Sequence, residues 1–130
     1  MARTILLLLL VLATLAEAAL AAGAFFAPAF TLRQFQVPYS ADTAFLGYVL
    51  AWTLLFVTLA AGLACWQVWR RRPHFYVLSY LLGLWWMGIG VGIYVAFGRP
   101  VNLGLDSLKG LLIVLATWRC QALRLMARRY

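Results

Sequence analysis

The chain has 130 residues, of which 66% are hydrophobic and 11% charged, and its formal net charge is +8. A water-soluble domain of this size needs far more polar surface to stay monomeric, so the composition excludes one. A positive balance points to nucleic acid only where the charges share a soluble face; here arginines sit in short breaks between apolar segments, and no nucleic-acid partner is expected.

The first apolar segment runs from about Thr4 to Ala27. Like the next two, it exceeds the ~20 residues that a helix needs to cross hydrocarbon. Arg3, the apolar run Ile5 to Ala16 and the small residues around Glu17 also fit a signal peptide. The run continues through Phe26, long enough to span, so a retained helix is the expectation. Glu17 stands alone in this segment, about 15 Å from its far end at ~1.5 Å per residue, close to the membrane midplane.

The connection from Pro28 to Asp42 carries Phe30, Phe35, Val37, Pro38 and Tyr39. It is too apolar for a free loop and is expected to lie along the membrane or dock on a partner. The second span, about 43 to 69, places Trp52 near mid-depth. It ends at Arg70, Arg71 and Arg72. The third, about 75 to 97, contains "WWMGIGVGIY", with Trp85 and Trp86 near mid-depth. Its Gly88 and Gly92 form a G-x-x-x-G pattern, which suits close packing of helices within the chain or between two copies.

The fourth span is expected to run from about 106 to 124 and carries Asp106 and Lys109 near its start. Asp106 can cap the helix. Only Gly110 to Trp118 separate Lys109 from Arg119, roughly 14 Å along a helix, so one of these cations must enter the apolar region or snorkel out of it. Lys109 lies about 6 Å shallower than Glu17 by the same rise, within reach of a lysine side chain. Two charges in hydrocarbon cost less as a pair. A Glu17–Lys109 pair is therefore one expectation, and a Glu17 hydrogen-bonded to a Thr or Tyr is its alternative. A third is functional: Glu17, Lys109 and Asp106, with Trp52, Trp85 and Trp86, would form an ion-pair or ligand site where a carboxylate beside indole faces receives a hydrophobic cation in exchange for a proton.

These segments predict an all-α integral membrane protein, one four-helix domain over residues 1–130. No period-two alternation suggests a β-barrel. Arg3, Arg70, Arg71, Arg72, Arg119, Arg124, Arg128 and Arg129 would share one side of the membrane, against Arg33 and Arg99 on the other. By the positive-inside rule both termini are then cytoplasmic, with Arg70–Arg72, Arg124, Arg128 and Arg129 touching anionic headgroups. Trp66, Trp69 and Trp118 suit an interfacial belt.

The chemistry-bearing residues are sparse. His74 is the one histidine and cannot supply the paired axial ligands of a membrane haem. With Cys65 and Cys120 it makes no zinc pattern. No metal, cofactor or catalytic residue is expected, and the cysteines read as apolar packing residues.

The stretches "FFAP", "ADTAFLGYVLAW" and "WRRRPH" and the Gly-rich third span resemble small, uncharacterised DoxX-like four-helix proteins of bacterial inner membranes. That resemblance implies a multi-pass inner-membrane location and little about activity. Ala16-Glu17 in the first span and "GIGVG" in the third are similar to small multidrug-resistance transporters. This second resemblance implies a proton-coupled export role for Glu17. The leading expectation is a non-enzymatic accessory, assembly or helix-packing subunit, in a larger membrane complex or a homodimer; the alternative is a small proton-coupled exporter or hydrophobic-ligand binder using Glu17.

Overall fold

The computed structural model describes residues 1–126, so the expectations for Arg128 and Arg129 lie outside the described residues. The elements are α1 (Ala2–Phe26), α2 (Pro28–Gln34), α3 (Ala41–Trp69), α4 (Phe75–Phe97), α5 (Pro100–Asn102), a π-helical turn (Leu103–Ser107) and α6 (Leu108–Met126). There is no strand among the described residues. Four helices, Ala2–Phe26, Ala41–Trp69, Phe75–Phe97 and the continuous Pro100–Met126, are long and apolar enough to cross a membrane.

Helix formation here follows from the medium such sequences suit. In hydrocarbon every backbone polar group needs an internal partner, which a helix supplies. The hydroxyls obey the same constraint. Thr14, Thr53, Thr58, Ser79 and Thr117 each donate to the carbonyl four residues back, so none is left without a partner.

The four long helices form a ring in the order α1, α3, α4, α6, which makes α1 and α4 diagonal partners without close backbone approach. The α1–α3 contact is the most extensive. Both helices bury small residues, Ala13, Ala21 and Ala24 on one and Gly47, Ala51, Ala61 and Ala64 on the other, and a Cβ on Gly62 of α3 would lie 3.9 Å from Thr14 of α1. Small side chains let backbones approach and gain dispersion contacts where no hydrophobic force is available between helices. Leu8, Leu12 and Leu15, on the outward side of α1, are exposed.

The ends are defined by local chemistry. Ser40 accepts from the Thr43 N–H while Thr43 Oγ1 accepts from the Ser40 N–H, a reciprocal cap that starts α3. At the other end of α3 the Arg72 N–H donates to Gln67 O and the Arg71 N–H to Val68 O. This is the Schellman arrangement, with Arg71 in the left-handed region at φ 55°. The same arrangement closes α2, with Gln36 at φ 59°.

The structure corrects two expectations, both at the start of the fourth long helix. The fourth membrane-length helix begins at Pro100, not near Asp106; Pro suits a first helical turn, where its missing N–H has no partner to lose. Asp106 consequently lies inside the π turn and caps nothing. The connection after α1 is not a free loop. It folds into α2, buries Thr31 and Leu32, sets Leu32 against Gly47, and is clamped by Arg99, which donates to Phe35 O at 2.9 Å and Gln36 Oε1 at 3.0 Å. Phe30 and Tyr39 remain exposed.

Candidate functional site

Glu17 sits on the inward stripe of α1, between Ala13 and Ala21, and is 5% exposed. Its Oε1 accepts from Lys109 Nζ at 3.0 Å and from Trp86 Nε1 at 2.9 Å. Trp86 is 2% exposed and comes from α4, so its indole reaches Glu17 across the diagonal of the ring. Lys109 Nζ also donates to Asp106 Oδ1 at 3.2 Å and lies 4.6 Å from the Trp86 ring centroid. One indole therefore donates to the carboxylate with its edge and holds the ammonium with its face. Asn102 Nδ2 donates to Asp106 Oδ2 at 3.3 Å and completes the chain of contacts.

A π turn, Leu103–Ser107, lies within this group. Asn102, Asp106 and Lys109 are four and three residues apart, the spacing that sets side chains along one side of a helix. The α4 backbone accommodates the turn at Gly90. A Cβ there would meet Ser107 Oγ and lie 2.8 Å from both Asn102 O and Ser107 N. Ser107 Oγ donates to Met87 O at 3.2 Å. One helical turn or more away, a Cβ on Gly110 would meet Gly83 O and lie 2.7 Å from Met87 N. The α4–α6 crossing is thus built on Gly83, Gly90 and Gly110.

Gly88 and Gly92, the expected packing pair, have nothing within 4 Å of an added Cβ. They form an open face of α4 and take no part in packing among the described residues. Gly83 and Gly90 are seven residues apart, two helical turns, and that spacing is the signal that could have found them. Asn102 stands four residues before Asp106, a spacing that could have found it; Ser107, whose hydroxyl donates to Met87 O of α4, carried no such signal.

Of the expected tryptophans, only Trp86 joins the charges. Trp85 is 48% exposed and lines the rim of an adjoining cavity. Trp52 is 53% exposed and packs edge-on against Phe25 and Tyr48, with centroids at 5.6 and 6.3 Å, away from the carboxylates. Glu17 bonds to no Thr or Tyr among the described residues; Lys109 and Trp86 occupy it instead.

Two carboxylates and one ammonium give the cluster a formal charge of −1, from −2 and +1. The adjoining cavity holds about 170 Å³ and is lined by Glu17, Asp106, Trp85, Trp86, Phe35 and apolar side chains such as Leu50. Drug-sized ligands occupy roughly 300 Å³ or more, so this space admits a small ion or a narrow apolar group. Among the described residues no group of three His, Cys, Asp or Glu side chains could hold a metal ion, and Cys65 and Cys120 are free thiols.

Fold and site define an all-helical chain with four helices of membrane-spanning length, carrying a part-buried three-charge cluster in which Glu17 is the buried member. No family model, curated protein or solved structure matches it.

Proposed function

We propose that this chain is a multi-pass inner-membrane protein without enzymatic activity, an accessory or assembly subunit that works through helix packing. The observation that carries this reading is that Glu17 is already engaged, by Lys109 at 3.0 Å and Trp86 at 2.9 Å. Intramembrane charges that pair inside a bundle cost less than isolated ones and tie helices together. The small cavity beside them supports the same reading. The open face at Gly88 and Gly92 offers a neighbouring helix close approach, so the partner is a larger membrane complex or a second copy. Purification from native membrane is expected to bring down a stoichiometric membrane partner or a homodimer; a monomer with no companion would sink the reading.

The cluster's formal charge of −1 and the indole walls of its cavity favour a second reading, the small proton-coupled exporter or hydrophobic-ligand binder suggested by the multidrug-transporter likeness. The same preparation titrated with a hydrophobic quaternary amine discriminates. The first reading expects no saturable binding; binding that disappears in Glu17→Gln would install the second.

The proposed orientation has both ends of the chain in the cytoplasm. Residues at the start of α1, the end of α3, the start of α4 and the end of α6 line one cavity, so these four ends lie together. They carry Arg3, Arg70, Arg71, Arg72 and Arg124, against Arg33 and Arg99 elsewhere, and cytoplasmic sides collect such cations. Reporter fusions after Tyr130 should report cytoplasm and fusions between Arg33 and Ser40 the opposite side. The reverse pattern would overturn the orientation.

A further inference from the structure

The cavity at the basic end holds about 560 Å³ and draws its walls from all four long helices or their flanks: Arg3, Arg71 and Arg124 supply charge, and Val68, Phe75 and Leu123 supply apolar surface. No acidic residue lines it. The chain has three: Glu17 and Asp106 are in the central cluster, and Asp42 is in the first turn of α3, at its opposite end. Guanidinium charge at this cavity is therefore uncompensated by any acidic side chain among the described residues.

The neighbouring arginines are otherwise engaged. Arg70 lies 5.3 Å from the Trp69 ring centroid and Arg72 5.2 Å from that of Trp66. Arg71, between them, stacks on neither of these rings and lines the cavity. Its backbone is in the left-handed region, φ 55°, where glycine is the usual choice at a Schellman turn. A side chain is kept there at a conformational cost. Arg124 donates through Nη1 to Arg72 O at 3.2 Å and Pro73 O at 3.3 Å. That contact ties it to the same turn.

A second depression, about 480 Å³, runs between α1 and α6 and is lined by apolar side chains including Ile5, Leu9, Leu112 and Leu115, with Arg119 the one charged side chain among its lining residues. It shares Met1, Ala2 and Leu123 with the arginine cavity, so the two adjoin. From Leu112 to Leu123 the helix rises roughly 16 Å, about the depth of one hydrocarbon leaflet.

We propose that these two features are one binding site for a phospholipid with an anionic headgroup. Arg3, Arg71 and Arg124 receive the phosphate, and the α1–α6 groove receives an acyl chain. Guanidinium groups suit phosphate because their fixed N–H fork matches its oxygens. The adjoining, mainly apolar groove favours a lipid over a soluble phosphate. The inference rests on the reading that the helices span a bilayer.

The test uses the full chain in nanodiscs and mixed micelles. The protein should insert into phosphatidylcholine nanodiscs. In micelles holding equal phosphatidylglycerol and phosphatidylcholine, native mass spectrometry should find phosphatidylglycerol retained preferentially. Arg71→Gly should lower that preference roughly fivefold, the effect of one surface cation near an anionic lipid. It should keep or raise thermal stability in uncharged detergent, since glycine relieves the left-handed position. Arg70→Ala and Arg72→Ala should reduce the preference less. Glycerol phosphate at millimolar concentration should not displace the lipid.

Equal losses in all three arginine variants would mean diffuse attraction to a charged surface and overturn the site. Displacement by glycerol phosphate would assign it to a soluble anion and overturn the lipid. Insertion without headgroup preference would overturn the site and leave the membrane reading standing. Failure to insert would remove both.

Discussion

Lys109→Met should destabilise the protein by about 3 kcal/mol, the lower end of what breaking a buried ion pair costs, while Glu17→Gln should cost roughly 1 kcal/mol or less. The asymmetry follows from the contacts. Lys109 serves both Glu17 and Asp106, so its loss strands two carboxylates and takes the cluster's formal charge from −1 to −2. Loss of the Glu17 charge leaves Lys109 paired with Asp106 at 3.2 Å and takes the cluster to zero. A glutamine can still accept from Trp86 Nε1. The double variant should be more stable than Lys109→Met alone, because only Asp106 then lacks a counter-charge. Thermal or denaturant unfolding in one detergent measures all three. Equal losses in the single variants, or a double variant equal to the sum, would show that the ammonium is not shared in this way.

Gly110→Ala should cost about 2–3 kcal/mol, toward the upper end for overpacking. The new methyl would meet Gly83 O and lie 2.7 Å from Met87 N, both backbone atoms of α4 that cannot swing aside. Gly90→Ala meets Asn102 O and Ser107 N at 2.8 Å and should disturb the π turn as well. Gly88→Ala and Gly92→Ala meet nothing within 4 Å and, in the detergent-dispersed single chain, should be neutral or gain up to ~1 kcal/mol from helix propensity. Melting curves of the four variants in detergent provide the comparison. A loss at Gly88 or Gly92 matching that at Gly110 would place a second chain on the open face of α4.

The residues of this chain say more about depth than about direction. Four helices of membrane-spanning length are legible because length and apolar content are additive along the chain, and the backbone leaves a helix as the economical way through hydrocarbon. Counting the rise per residue also brings Glu17 within lysine reach of Lys109, and the structure places them 3.0 Å apart. The same count gives Trp52 and Trp86 similar depth. Yet Trp86 is buried on the carboxylate and Trp52 is exposed, packed beside Phe25. Nothing in the sequence distinguishes them, because a helix apolar on every side has no polar face to mark its outside. Direction came from tertiary packing alone. Gly83, Gly90 and Gly110 let α4 and α6 close, which turned Trp86 inward and left Gly88 and Gly92 facing out. The π turn, whose Ser107 lies against Gly90, sits at that same crossing. Which of three consecutive arginines lines the cavity was likewise settled by the backbone, through the left-handed turn at Arg71. Sequence determined how far along its helix each group lies; the angle at which each helix meets its neighbours decided which groups touch, since on a helix apolar on every side close packing, not apolar patterning, selects the contact face.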